Sequence, residues 1–146
     1  MQVKLLESSN ELELICPVLM QLRQLFDTQG LRSQIELQRQ EGYQLAYAVN
    51  DADTVLAVAG FVINTKLAWG RHLYVDDLVT LESARSSGAG AALLSWLKEH
   101  ARQHNCKQLH LDSGVHRKGA HKFYFREGLH ISSFHFSVDD LDANQC

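Results

Sequence analysis

The chain has 146 residues, 45% of them hydrophobic and 21% charged, with a formal net charge of −3 at pH 7. That length suits one domain, 1–146, with one core that buries roughly two-thirds of the unfolded chain's surface, and the composition excludes a disordered polymer. The negative charge excludes a globally basic surface of the kind that binds nucleic acid or anionic membrane by displacing counterions.

The longest uncharged apolar stretch, residues 54–65, is too short to span a bilayer, and Met1-Gln2-Val3-Lys4 does not start an apolar signal core, so a cytoplasmic location is expected. Cys16, Cys106 and Cys146 are scattered and lie outside any CxxC pair, so they read as reduced thiols.

Residues 3–6 are a short strand candidate. Ser8, Ser9 and Asn10 then offer caps to a helix over 11–26, in which Leu12, Ile15, Leu19, Leu22 and Phe26 recur at helical spacing; Pro17 falls in its early part. A second helix is predicted over 32–40. Three strands follow at 44–50, 55–63 and 72–81, and their short connections imply an antiparallel meander. The period then changes: Ala91, Leu94, Leu97 and Ala101 mark a helix over 88–104. Residues 108–112 read as a buried strand, 116–126 as a helix ended by Gly128, and 129–138 as a last strand. The order β-α-α-β-β-β-α-β-α-β describes an α/β fold with a mixed sheet, and the tail loosens from about Asp139.

The turn Arg85-Ser86-Ser87-Gly88-Ala89-Gly90 follows a strand and opens a helix, so backbone N–H groups without intrahelical partners converge at the positive end of the helix dipole. Two glycines allow close approach of an anion, while Arg85, Ser86 and Ser87 add donors. By itself this pattern also describes a helix start packed tightly against a sheet.

The context adds a resemblance. Residues 75–94, VDDLVTLESARSSGAGAALL, resemble the acetyl-coenzyme A motif of the GCN5-related N-acetyltransferase (GNAT) superfamily, in which a fourth strand leads through (Q/R)xxGx(G/A) into a helix. The stretch 106–112 is similar to that family's fifth strand, and 120–129, AHKFYFREGL, to its A-x-x-F-Y-x-x-x-G-F helix. The resemblance covers about 45–137; the first forty residues agree only in element order. Glu82 stands where the family often has proline, and Thr80 where it often has valine, but neither change removes a glycine or a backbone donor.

The resemblance implies a GNAT-like acyltransferase fold and transfer of an acetyl group from acetyl-CoA to a primary amine. It implies that the backbone of Leu78, Val79 and Thr80 pairs with the pantetheine arm, with the Leu78 N–H on the acetyl oxygen. The pyrophosphate falls to Arg85, Ser86, Ser87, Gly88, Ala89, Gly90 and Ala91, with Arg117 at a further cofactor position. Tyr124 aligns with a tyrosine that protonates the departing thiolate, and Asp76 with a glutamate used as base in some relatives. Such enzymes need no metal and often form homodimers.

Bland readings stand beside these. Tyr124 also suits a packed aromatic beside Phe123 and Phe125, and Arg117 a solvated basic face with Lys118 and Lys122. Asp76 and Asp77 are adjacent on a strand and so are expected on opposite faces; His72, Asp77 and Glu82 are further candidates for the acceptor cleft. His100 and His104 have metal-ligand spacing but no third partner, and among Lys98, Glu99, Arg102 and Gln103 they are expected to be solvated. Two other function classes remain open: an idle acetyl-CoA-binding regulatory domain, and a peptide or nucleic-acid module, the latter opposed by the acidic net charge.

Overall fold

A computed structural model describes residues 1–143, which divide into two compact units, Met1–Leu111 and a second beginning at Asp112. The first unit holds strands β1 (Gln2–Leu5), β2 (Gln44–Val49), β3 (Val55–Lys66), β4 (Gly70–Thr80) and β5 (Gln108–Leu111), with helices α1 (Leu12–Leu22), α2 (Thr28–Gln40) and α3 (Ala89–Gln103). The second contains α4 (Lys118–Arg126). No helix among the described residues is long and apolar enough to cross a membrane.

The five strands form one sheet in the order β1-β2-β3-β4-β5. The first three pairings are antiparallel, as the short connections predict, and β5 joins β4 in parallel after the α3 crossover. Each helix begins where its local chemistry permits. Ser8 and Glu11 form a capping box just before α1, and Asp27 accepts from the Gly30 N–H at 2.6 Å to start α2 four residues earlier than its apolar spacing suggests.

Strand alternation divides the core between the two faces. Leu45, Tyr47, Val49 and Val58 pack with Leu12, Ile15, Leu19, Leu31 and Ile35 of α1 and α2. The intervening Ala46, Ala48, Ala57 and Ala59 are fully buried small residues in register with one another, and they give way at Phe61 to a large ring beneath Trp96 and His100 of α3.

Two expectations need correction. No sixth strand exists among the described residues: 129–138 has no ladder assignment, and Ile131, Phe134 and Phe136 are exposed. Alternating apolar residues record a propensity, whereas a strand also requires a neighbouring backbone to hydrogen-bond.

His100, expected in solvent, is buried and stacks on Trp96 with ring centroids 4.6 Å apart. The stripe Leu93, Leu97 and His100 faces the sheet, and the charged chain neighbours of His100 occupy the rest of the helix surface. Burial, and then His104, push His100 below its ordinary pKa of 6.5. The unfolded chain therefore binds the extra proton first, so stability should fall as pH drops below about 6.5. Thermal melts from pH 8 to 5 check this: the slope should flatten in His100→Phe, and an unchanged slope would assign it to other groups.

Candidate active site

The site is built around the second half of β4. Its register against β3 runs Phe61↔Val75 and then Gly60↔Asp77, so Asp76 is an extra residue, a β-bulge. The bulge reverses the facing of everything after it. Val75 lies opposite Phe61 on the α3 face, while Asp77 lies opposite Gly60 and beside Tyr43 on the α1/α2 face.

Beyond the bulge β4 also loses one neighbour. β5 pairs only with His72–Val75, so from Asp76 to Thr80 the side of β4 away from β3 carries no ladder among the described residues. The Leu81 N–H donates to the Leu56 carbonyl at 2.7 Å; by two-residue alternation the peptide of Val79 also faces β3, and those of Leu78 and Thr80 face the open edge. Val79 instead packs its side chain against the α1/α2 core.

That open edge runs into the turn predicted to bind phosphate. Glu82–Ala84 is a short 3-10 turn whose first N–H donates to Gln21 Oε1 at 3.1 Å, which ties it to the end of α1. Ser86 and Gly88 have positive φ of 68° and 88°, a reversal that places Ala89, 1% exposed, as the first helical residue. The first i→i−4 bond of α3 runs from the Ala92 N–H to the Gly88 carbonyl, so the N–H groups of Gly88, Ala89, Gly90 and Ala91 precede the helical ladder; Ala89 donates to Ser87 Oγ at 3.3 Å. Arg85, Ser86 and Ser87 are exposed around this start. These are the chemical requirements of a phosphate cradle: small residues, a strained reversal and converging donors.

Asp76 and Asp77 have very different surroundings. Asp77 accepts from Tyr43 Oη on Oδ2 at 2.6 Å and from Arg23 Nε on Oδ1 at 2.8 Å, and Arg23 Nη2 also reaches Oδ1. Burial first, and then Asp77, push the Tyr43 phenol far above its ordinary value, so it remains a donor. Asp76 is exposed as a residue while its carboxyl is partly shielded, and that carboxyl has no hydrogen bond or ion pair among the described residues. Burial, then the Asp77 charge, raise it above the ordinary aspartate value of 3.8, against a lowering by Arg23. Beside these residues lies an open cleft lined by Leu19, Phe26, Leu31 and Ile35, with Arg23, Tyr43 and Asp77 among its polar groups.

Sequence reasoning missed Arg23 and Tyr43. Arg23 lies just past the end of α1 and Tyr43 just ahead of β2, more than fifty and more than thirty residues from Asp77, and no periodicity connects them. One signal was present, Gly60 in the middle of an apolar strand, which marks close approach by another group.

The remaining candidates are placed as follows. Glu82 is exposed, and His72 is 2% exposed with Nδ1 3.0 Å from the Gly70 carbonyl oxygen, packed edge-on against Trp69, which leaves it little access to a ligand. In the second unit, Arg117 precedes α4 and is exposed, and Tyr124 is partly buried within that helix with its ring 5.4 Å from that of Phe123. Burial raises the Tyr124 phenol above its ordinary 10.0, opposed by Arg117, so it is protonated at neutral pH.

A mixed sheet whose fourth strand bulges, loses a neighbour and runs into a glycine-rich helix start with free backbone donors suits the acyltransferase class. The chain is a member of the acetyltransferase (GNAT) family, whose model matches residues 11–129. It is an N-acetyltransferase, in a family that uses acetyl-CoA. The match reaches back through both N-terminal helices, beyond the stretch where sequence motifs carried the resemblance.

Among curated proteins, the chain is 30% identical over 135 residues, 92% of its length and 95% of the relative's, to the uncharacterized N-acetyltransferase YhdJ of Bacillus subtilis (strain 168). It is 38% identical over 63 residues, 43% of this chain and 41% of the relative, to an aminoalkylphosphonate N-acetyltransferase of Salmonella typhimurium. Among solved structures, an aminoglycoside N-acetyltransferase in complex with CoA superposes with a TM-score of 0.82 over 96% of this chain and 94% of that one, at 12% identity, a likeness of fold.

Proposed function

We propose that the chain acts as one domain, transferring the acetyl group of acetyl-CoA to a primary amine by direct attack in a ternary complex and, as in its family, associating as a homodimer. The observation that carries the reading is the open edge of β4 beyond Asp76, continuous with the Ser86–Gly88 reversal at the start of α3. Leu78 and Thr80 offer backbone groups to an extended amide-bearing chain. Arg85, Ser86, Ser87 and the N–H groups of Gly88, Ala89, Gly90 and Ala91 suit its pyrophosphate, and Arg117 is a further contact implied by the family.

Bound acetyl-CoA supplies the thioester carbon that the amine attacks. The Leu78 N–H donates to the acetyl oxygen as charge gathers there. Asp76 accepts the proton lost by the amine, and Tyr124 donates its phenolic proton to the sulfur as the carbon–sulfur bond breaks. The acceptor's body occupies the cleft beside Asp77. Polyamines, small metabolite amines, peptide N-termini and lysine are the acceptors to try, together with aminoalkylphosphonates in view of the partial match to an aminoalkylphosphonate N-acetyltransferase.

Release of free thiol from acetyl-CoA in the presence of each amine tests the reading. Amine-dependent release is expected for at least one of them. Tight acetyl-CoA binding without release on any amine would instead make the chain an idle cofactor-binding domain. In the same assay Gly88→Ala, at φ 88°, should raise the KM for acetyl-CoA, by up to about 30-fold if the whole ~1–2 kcal/mol of left-handed strain is expressed at the turn. An unchanged KM would move the phosphate site elsewhere.

A further inference from the structure

A bulge leaves the peptide groups of its extra residue without ladder partners. Here one of them has a dedicated substitute: Arg23 Nη2 donates to the Asp76 carbonyl oxygen at 3.1 Å, while Nε and Nη2 of the same guanidinium bind Asp77 Oδ1. A planar guanidinium presents its donors in a fixed fork, so holding both groups fixes the Asp76 peptide relative to the Asp77 carboxylate. Arg23 is itself anchored, because its own N–H closes the last turn of α1 on the Leu19 carbonyl at 2.9 Å.

Tyr43 holds the other carboxylate oxygen. It is 5% exposed and occupies the space that a side chain at residue 60 would need. Both Asp77 oxygens are therefore engaged, and only the neighbouring Asp76 carboxyl has no partner among the described residues.

We propose that Arg23, Tyr43 and Asp77 form a positioning clamp that locks the bulged backbone of Asp76 and leaves the Asp76 carboxyl free to take the acceptor amine's proton. The inference rests on the reading of Asp76 as the base. It makes Asp77 a positioning residue, since its lone pairs are spent on the clamp, and it gives the end of α1 a function in turnover. Among the described residues, the charged or titratable groups that act on Asp76 are Asp77, which shares its strand, Arg23 from the end of α1 and Tyr43 from ahead of β2; the polar groups that α2 brings to the adjoining cleft are the carboxamides Gln34 and Gln38.

Three variants of the full chain test the clamp, with kcat, the KM for acetyl-CoA, the pH profile of kcat/KM and the titration of the Asp76 carboxyl by carbon-13 NMR as readouts. Arg23→Gln removes both the fork and a charge that favours the carboxylate. Its kcat should fall by roughly 10–100-fold, the scale of a misplaced catalytic group, with the KM for acetyl-CoA unchanged. The Asp76 titration should move to higher pH, and because a base works above its pKa, the acid limb should move up with it.

Arg23→Lys keeps the charge but loses the fork, so the titration should stay near wild type while kcat remains depressed. Tyr43→Phe keeps the ring in the core and drops one hydroxyl; its kcat should fall several-fold with the KM for acetyl-CoA unchanged, even if the Arg23 variants do not fold. Wild-type turnover in Tyr43→Phe, or full recovery of kcat in Arg23→Lys, would overturn the clamp. Failure of the underlying reading shows separately, as an Asp76→Asn variant with undiminished turnover, while the NMR titration still reports whether Arg23 acts on Asp76.

Discussion

Tyr124→Phe should lower kcat by about 10²–10⁴-fold, the usual contribution of a positioned proton donor, and leave acetyl-CoA affinity nearly unchanged. The expulsion of a thiolate leaves a strongly basic sulfur unless a proton reaches it as the bond breaks. A donor for that step has to be protonated at working pH, and Tyr124 meets the condition because burial holds its phenol above the ordinary 10.0. Phenylalanine keeps the ring and its edge-on packing with Phe123, so the substitution isolates the hydroxyl. Steady-state kinetics with the best amine, alongside calorimetric acetyl-CoA binding, give the answer. Unchanged turnover returns Tyr124 to a packing role, and a fall in turnover together with lost cofactor affinity would place it in binding instead.

The second large effect is expected at Gly60→Ala. In an ordinary strand this change stabilises by roughly 0.5–1 kcal/mol, because alanine loses less conformational freedom on folding. At residue 60 the sign should reverse: a Cβ would fall inside the Tyr43 phenol, whose hydroxyl and ring edge fill that space. Tyr43 is 5% exposed and fastened to Asp77, so moving it aside would break that hydrogen bond.

Overpacking of this kind costs about 1–3 kcal/mol, which at about 2–4 °C per kcal/mol lowers Tm by roughly 2–12 °C for a chain of this length. Displacement of the phenol also breaks the clamp, so kcat should fall as in Tyr43→Phe. The double variant Gly60→Ala with Tyr43→Val should be more stable than the sum of the two single changes, since valine vacates the space that the new methyl needs. A stabilised Gly60→Ala, or strict additivity in the double, would mean that Tyr43 yields without cost.

The meander, the α3 crossover and the glycine-rich turn ahead of α3 were all legible in the chain because each depends on residues close in sequence. Strand and helix periods show within a dozen positions, and the turn with its glycines occupies six. Asp76 could be singled out only through resemblance, and its pairing with Asp77 was half seen. Alternation by itself would set adjacent strand residues on opposite faces, but the bulge at Asp76 breaks the alternation between Val75 and Asp77, and a bulge is a property of two strands in register.

Tertiary structure also overruled two local patterns. The segment 129–138 alternates like a strand but has no ladder assignment, and His100 sits among charged neighbours in sequence but on the α3 stripe that faces Phe61.

By itself, then, the sequence determined the family, the element order through α4 and a helix start with free backbone donors after β4, since such donors follow from local conformation alone. Tertiary structure decided which carboxylate is free. Asp76 and Asp77 are chemically identical and adjacent, and they part only because Arg23 and Tyr43, brought from two distant segments, spend their donors on Asp77 and on the Asp76 carbonyl. Hydrogen bonds of fixed direction between remote residues exist only once the fold has closed, and no local pattern in the chain records them.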